Sequence, residues 1–273
     1  MLTLLLLLAC SGGQDGPAEP EVDPYAPPPL PEGLKVDETQ QALVAIVGHS
    51  IEPSQVGDWI GMAEDVDELR ERLFAASVVP VEGMTLRVGP WPEDMVKLLV
   101  NSPELQSLVR LEASGAELGP AGGTLLVATP WMAQIEQLRL NESGIDEGVV
   151  VTLAEQPSLA QLKELGLANN GLRSKAVTAL MEAQGLKALE RLDLSGNRVG
   201  DAGARALAAS ARSGTLKELD LRDNGLSDEG AVYLASARGL ADIERLDLRG
   251  NRITEKGRDA LLGTYAEGVL VLE

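Results

Sequence analysis

Leu192-Asp193-Leu194-Ser195-Gly196-Asn197 returns as Leu219-Asp220-Leu221-Arg222-Asp223-Asn224 and again as Leu246-Asp247-Leu248-Arg249-Gly250-Asn251, at an interval of 27 residues. Leu165-Gly166-Leu167-Ala168-Asn169-Asn170 belongs to the same set. Outward from this stretch, paired apolar residues keep the interval without a gap: Leu108 and Leu111, Ile135 and Leu138, Leu162 and Leu165, Leu189 and Leu192, Leu216 and Leu219, Ile243 and Leu246. A fixed period of this length marks a chain built from stacked supersecondary units, each of which needs its neighbours to bury its apolar face. Leu-x-Leu sends two side chains to one face of a short strand. The Asn three places later turns the chain, and its amide can satisfy backbone groups that the turn leaves unpaired. Asn170, Asn197, Asn224 and Asn251 therefore form an expected structural ladder. Ser143 and Ala116 take that place in earlier copies, which predicts less regular turns there.

The second half of each copy has helical spacing. Val199, Gly203 and Leu207 recur as Leu226, Gly230 and Leu234, then as Ile253, Gly257 and Leu261. These residues form one apolar face with a small residue that permits close packing. The pattern resembles leucine-rich repeats of the ribonuclease-inhibitor-like class. The resemblance implies an α/β fold: a right-handed solenoid of 27-residue strand–helix repeats with a parallel sheet on its concave face. It covers residues 84–273, with Met84 to Ser107 as a degraded first copy and Val269 to Leu272 as a final strand without a dedicated cap.

Before the repeats, residues 34–83 do not repeat and predict a small helical N-terminal cap, which hides the end of a solenoid's core. One helix is expected from Asp37 to about Val47, and a second from about Glu64 to Ala76 with Val66, Leu69, Leu73 and Phe74 on one face. His49, the only histidine, lies between them and reads as a surface or capping residue.

At the N-terminus, Leu2 to Leu8 is apolar except for Thr3 and is too short to span a bilayer, which takes about 20 residues. It fits the apolar core of an export signal. Leu7-Leu8-Ala9-Cys10 resembles the lipobox of bacterial lipoproteins. That resemblance implies a signal peptide of residues 1–9, cleavage after Ala9, and lipid on Cys10 that anchors the chain to the membrane. The only departure is that no Lys or Arg precedes the apolar run. Ser11, by resemblance to enterobacterial sorting, favours the outer membrane, with secretion as the alternative. Residues 10–33 hold the lipidated cysteine and a tether that carries Pro27, Pro28, Pro29 and Pro31. It is too poor in apolar residues to fold and is expected to stay extended and disordered.

Composition excludes several functions. Net charge is −19, from 42 acidic and 23 basic residues, which opposes nucleic-acid binding. One cysteine rules out an internal disulfide, and together with a single histidine it leaves no zinc set. No His–Ser–Asp set, HExxH motif or phosphate-cradling loop is visible, so no catalytic residue, cofactor or metal is expected. The expected function is a monomeric, envelope-anchored module that binds a protein partner, a basic one if the acidic surface steers it. The alternatives are a passive structural or cation-binding lipoprotein and a GTPase-activator-like regulator, a role that the resemblance allows.

Two strand columns carry the candidate site. Arg110, Gln137, Glu164, Arg191, Glu218 and Arg245 end in an alternating, self-neutralising run. The next column, Glu112, Arg139, Gly166, Asp193, Asp220 and Asp247, ends in three carboxylates that repel one another unless cations intervene. Arg222 and Arg249 stand where they could screen them. The candidate partner-binding residues are therefore Asp193, Asp220, Asp247, Arg222, Arg249, Arg191, Glu218 and Arg245. Aromatic anchors are missing from these columns, which predicts a polar contact of modest affinity. Trp59 also lies in the N-terminal half, and Trp91 and Trp131 are expected either to be packed or to mark a second contact surface.

Overall fold

The computed structural model describes residues 55–76, 81–157, 159–210 and 215–273. Cys10, the tether, the Asp37–Val47 helix and His49 lie outside the described residues.

Eight short strands form one open parallel sheet in sequence order: β1 (Gly83–Thr85), β2 (Arg110–Glu112), β3 (Gln137–Arg139), β4 (Glu164–Gly166), β5 (Arg191–Asp193), β6 (Glu218–Asp220), β7 (Arg245–Asp247) and β8 (Leu270–Val271). Register follows the 27-residue period: Leu111 stands beside Leu138, then Leu165, Leu192, Leu219 and Leu246. All six leucines are buried, as are Leu194, Leu221 and Leu248 two places further on. Because successive residues of a strand face opposite ways, the intervening charged residues stand on the exposed face. The fold is thus a leucine-rich-repeat solenoid of alternating strands and helices.

The helices close each layer: α1 (Val56–Gly61), α2 (Val66–Ala76), α3 (Glu93–Val100), α4 (Gly119–Val127), α5 (Glu147–Glu155), α6 (Ser174–Glu182), α7 (Gly200–Ala209), α8 (Asp228–Ala235) and α9 (Glu255–Leu262). Their inward residues recur at helical spacing, for example Val149, Val150 and Leu153 on α5. The small residue in the late helices answers a particular close approach. A Cβ at Gly230 would lie 2.4 Å from Asp201 Oδ1, and one at Gly257 would lie 2.6 Å from Asp228 Oδ1. Each aspartate begins one helix and caps the next. Asp201 accepts from the Ser227 N–H, the Ser227 hydroxyl and the Gly230 N–H. Asp228 does the same for the Thr254 N–H and hydroxyl. These bonds satisfy N–H groups that every helix start leaves open, and they tie each layer to its successor.

At the N-terminal edge, α1 covers β1. This helix lies in a stretch where the sequence pattern gave no helix. Gly57 and Gly61, one turn apart, put helix backbone against Gly83 O and Thr85 O; a Cβ there would come within 1.8 Å and 2.0 Å of those oxygens. The edge strand is hidden by backbone contact that larger residues would block. Helix α2 occupies the predicted stretch, with Leu69 and Leu73 buried. Asp65 Oδ1 accepts from the Glu68 N–H, and Glu68 Oε2 reaches back to the Glu64 N–H, a reciprocal cap. Trp91 and Trp131 are each 3% exposed, so they are core residues and offer no second contact surface. Trp59 is half-buried beneath the Arg72 guanidinium, 5.2 Å from its ring centre. Among the described residues no helix is long and apolar enough to cross a membrane.

Candidate functional site

The turn ladder fixes where the exposed strand residues stand. Asn197 is buried; its Nδ2 donates to the Leu167, Leu194 and Ser195 carbonyls, and its Oδ1 accepts from the Asn170 and Leu172 N–H groups. Asn170, Asn224 and Asn251 sit in equivalent networks. The early turns do not become irregular. Gly115 N–H bonds Asn141 O and Glu142 N–H bonds Ala168 O, as Asn169 N–H bonds Ser195 O and Gly196 N–H bonds Arg222 O. The Ser143 hydroxyl donates to Ala113 O at 2.8 Å, the carbonyl that an amide would reach, and Ala116 is small enough to be buried outright. Small side chains therefore preserve the path, and backbone-to-backbone bonds carry the repeat.

The sheet face bears a trough of about 350 Å³, lined from Glu112 and Arg139 at one end to Arg245 and Asp247 at the other. Its two halves handle charge differently. In the first, bonds run between strands. Glu164 accepts from Arg139 Nε at 2.7 Å on one side and from Arg191 Nη2 at 3.0 Å on the other, and Arg139 also reaches Glu112 at 3.4 Å. Burial raises the Glu164 pKa, but the bonds and charges of Arg139 and Arg191 outweigh it and hold the carboxyl below its ordinary value.

In the second half, bonds run along strands. Asp220 and Arg222 pair at 2.7 Å. Asp247 is 1% exposed and accepts from Arg249 Nε at 2.9 Å, Arg249 Nη2 at 2.7 Å and Arg245 Nη2 at 3.3 Å, with Arg222 Nε at 3.9 Å. Burial raises its pKa, but the bonds from Arg249 and the surrounding positive charge prevail, so the net shift is downward. The anticipated screening arginines thus sit directly on the carboxylates.

The sequence reading grouped residues that the structure separates. The column Glu164, Arg191, Glu218, Arg245 is not self-neutralising throughout. Arg191 turns to Glu164 and Arg245 to Asp247, so Glu218 carries no ion pair among the described residues. Asp193, Asp220 and Asp247 are likewise unequal. Asp247 is enclosed and Asp220 is paired, whereas Asp193 accepts only the Ser195 N–H at 2.9 Å and has no ion pair among the described residues. Ser195 stands where Arg222 and Arg249 stand in later copies, which is why Asp193 stays open. Among the described residues no three His, Cys, Asp or Glu side chains converge on a metal position. The inter-layer caps Asp201 and Asp228 were missed in sequence, although their recurrence 27 residues apart beside Ser227 and Thr254 was a usable signal.

A leucine-rich-repeat family model matches residues 186–208, 213–235 and 241–262. No curated protein matches the chain in sequence. Among solved structures, internalin C2 from Listeria monocytogenes is similar, with 20% identity, a TM-score of 0.54, and coverage of 86% of this chain and 92% of that one. An internalin, InlF, from the same organism shares 18% identity with a TM-score of 0.50; the match covers 78% of this chain and 56% of that longer one. The chain thus carries leucine-rich repeats, and its strand–helix layers take up an open solenoid fold shared with those internalins.

Proposed function

We propose that this chain is a protein-binding module, held at the cell envelope by lipid on Cys10, that receives its partner on the sheet face of the solenoid. The observation that carries the reading is the charged trough, in which Asp193 and Glu218 stand open between two satisfied ion-pair networks. Open carboxylates flanked by fixed charges select a complementary surface more than they add raw affinity. A lysine or arginine of the partner is the natural complement to Asp193 and Glu218, in line with the net charge of −19. Asp220, Arg191 and Arg245 frame that contact within the trough, and Arg222 and Arg249 extend it just beyond, while Asp247 sets Arg245 and Arg249 in place from beneath. The 27-residue strand–helix period supports assignment to the ribonuclease-inhibitor-like class, and the protein acts as a monomer. The Leu7-Leu8-Ala9-Cys10 sequence and the proline-bearing stretch after it support residues 1–9 as signal, 10–33 as tether, 34–83 as cap and an outer-membrane anchor.

A photo-crosslinking residue placed at Glu218, and separately at Val232 on the helical face, tests the reading in intact cells. Val232 is 46% exposed and remote from the trough. Protein adducts from Glu218 and none from Val232 are expected; adducts from Val232 alone would move the site to the helices. A Cys10→Ala chain should also lose incorporation of a labelled fatty acid and leave the membrane fraction.

A further inference from the structure

Arg245 lines the C-terminal end of the trough, and Arg222 and Arg249 stand just past it in the turns after β6 and β7, a cluster that stands out in a chain this acidic. Arg222 and Arg249 occupy a column that holds Ser114, Asn141, Ala168 and Ser195 in earlier copies, so the paired arginines belong to the turns after β6 and β7. Each of the two is held bidentately by the aspartate two residues before it. Asp220 takes Arg222 through Nε at 2.8 Å and Nη2 at 2.7 Å, and Asp247 takes Arg249 through Nε at 2.9 Å and Nη2 at 2.7 Å. A guanidinium carries five donors in a rigid fork. When its Nε–Nη2 edge is bonded in this way, the Nη1 edge is free of that carboxylate and cannot rotate away. The side chains stay accessible, at 40% for Arg222, 38% for Arg249 and 54% for Arg245. Arg222 and Arg249 stand in the turns after the neighbouring strands β6 and β7, and Arg249 feels the positive charge of Arg222.

We infer that Arg222 and Arg249, with Arg245 across Asp247 from them, form a preorganised clamp for a carboxylate carried by the protein partner, an Asp or Glu side chain. This deepens the sheet-face reading and rests on it: the partner presents a basic group to Asp193 and Glu218 and an acidic group one strand further on. Two guanidiniums held side by side offer Nη1 donors to the two oxygens of one carboxylate, and the incoming anion relieves their mutual repulsion. Rotamer freedom is already spent on Asp220 and Asp247, so little is lost on binding. Of the further carboxylates, Asp193 stands beside Asp220 on the neighbouring strand and acts on Arg222, while Glu218 lies in the column of Arg245, across the aspartates from Arg222 and Arg249. Recognition therefore depends on the direction of the donors, since the surrounding carboxylates offset the arginine charge.

The test follows the arginine Nε–H resonances of the full chain while an acetylated hexaglutamate peptide is added at about 0.15 M salt, where charges beyond about 8 Å are screened. Hexaglutamine, with both peptides acetylated at the N-terminus and amidated at the C-terminus so that only side-chain carboxylates differ, and inorganic phosphate serve as parallel probes. Saturable shifts at Arg222 and Arg249 with a roughly millimolar dissociation constant are expected from hexaglutamate, and none from hexaglutamine. Arg222→Gln should weaken that binding at least tenfold. Arg249→Lys, which keeps the charge and loses the fork, should weaken it similarly. A linear, unsaturable response, or equal affinity in the Arg249→Lys chain, would overturn the clamp. Phosphate binding as tight as hexaglutamate would overturn the assignment to a protein carboxylate. Crosslinks from Glu218 that persist when the clamp fails would leave the sheet-face reading standing without it.

Discussion

The early and late repeats follow one backbone path with different chemistry. After β2 and β3 the turns use Ala116 and a single Ser143 hydroxyl, the full amide begins with Asn170 after β4, and the exposed charges of β2 to β5 stitch neighbouring strands through Arg139 and Glu164. Around β5 to β7 the turns use full amides from Asn197, Asn224 and Asn251, and the aspartates of β6 and β7 are satisfied by arginines two residues further along their own strands. On β6 and β7, whose turns carry full amides, the aspartates are paired along the chain and not across strands. The late half can then present its guanidinium edges and its open carboxylates outward. Stability and presentation are shared out differently along a solenoid whose backbone barely changes.

The comparison breaks most severely at Asn224. Asn224→Ala removes the amide that donates to Leu194 O and Arg222 O at 2.9 Å each and accepts from the Val199 N–H at 3.1 Å, all in a buried site. Orphaning several backbone groups at once should cost about 3 kcal/mol, read as a lower unfolding free energy in urea. Next comes Asp247→Asn, which leaves three arginines around a neutral amide in a buried position. The expected loss is about 2 kcal/mol at neutral pH, moderated because the arginines remain partly hydrated. The sign of the pH dependence follows from the lowered Asp247 pKa: its contribution is full above the ordinary Asp value of about 3.9 and fades as pH falls through the folded value. The gap between wild type and Asp247→Asn should therefore close on acidification below about pH 4; a gap that held constant would deny the ionised role.

Ser143→Ala sharpens the same comparison from the early side. One hydroxyl and its bond to Ala113 O are lost, while the Glu142 N–H to Ala168 O bond stays. About 1 kcal/mol is expected. A loss as large as that of Asn224→Ala would mean that the early turns depend on their side chain as heavily as the late ones do.

Much of this was legible in the sequence because a strict period constrains many residues at once. Strand positions, register and the amide ladder all follow from Leu-x-Leu and Asn at fixed spacing. Helix α1 escaped because six residues with two glycines show no amphipathic face; its role rests on backbone approach to Gly83 and Thr85, which no hydrophobic pattern records. The pairing of the exposed charges escaped for another reason. Column membership follows from register, but which of two nearby carboxylates an arginine chooses depends on rotamer and distance. Arg245 stands beside Glu218 in its column and bonds Asp247 in its own strand. That choice opened Glu218, which its column pattern neutralises, and enclosed Asp247 among arginines.

The smallest effect is expected at Glu164, where the early network has its centre. Glu164→Gln keeps the shape and removes the charge that joins Arg139 on β3 to Arg191 on β5. Both arginines keep 49% and 40% of their side-chain surface exposed, so water screens the pairs and the loss should be about 0.5 to 1 kcal/mol at low salt. It should shrink further near 1 M salt, where the screening length falls to about 3 Å, whereas the Asn224→Ala loss, which involves no charge, should not move. The lowered Glu164 pKa gives the same sign as at Asp247, so the Glu164→Gln difference should also vanish as pH falls below the ordinary Glu value of about 4.3. A Glu164→Gln loss that ignored both salt and acid would show that the side chain acts by packing. The early half would then be held, like the late one, from its turns.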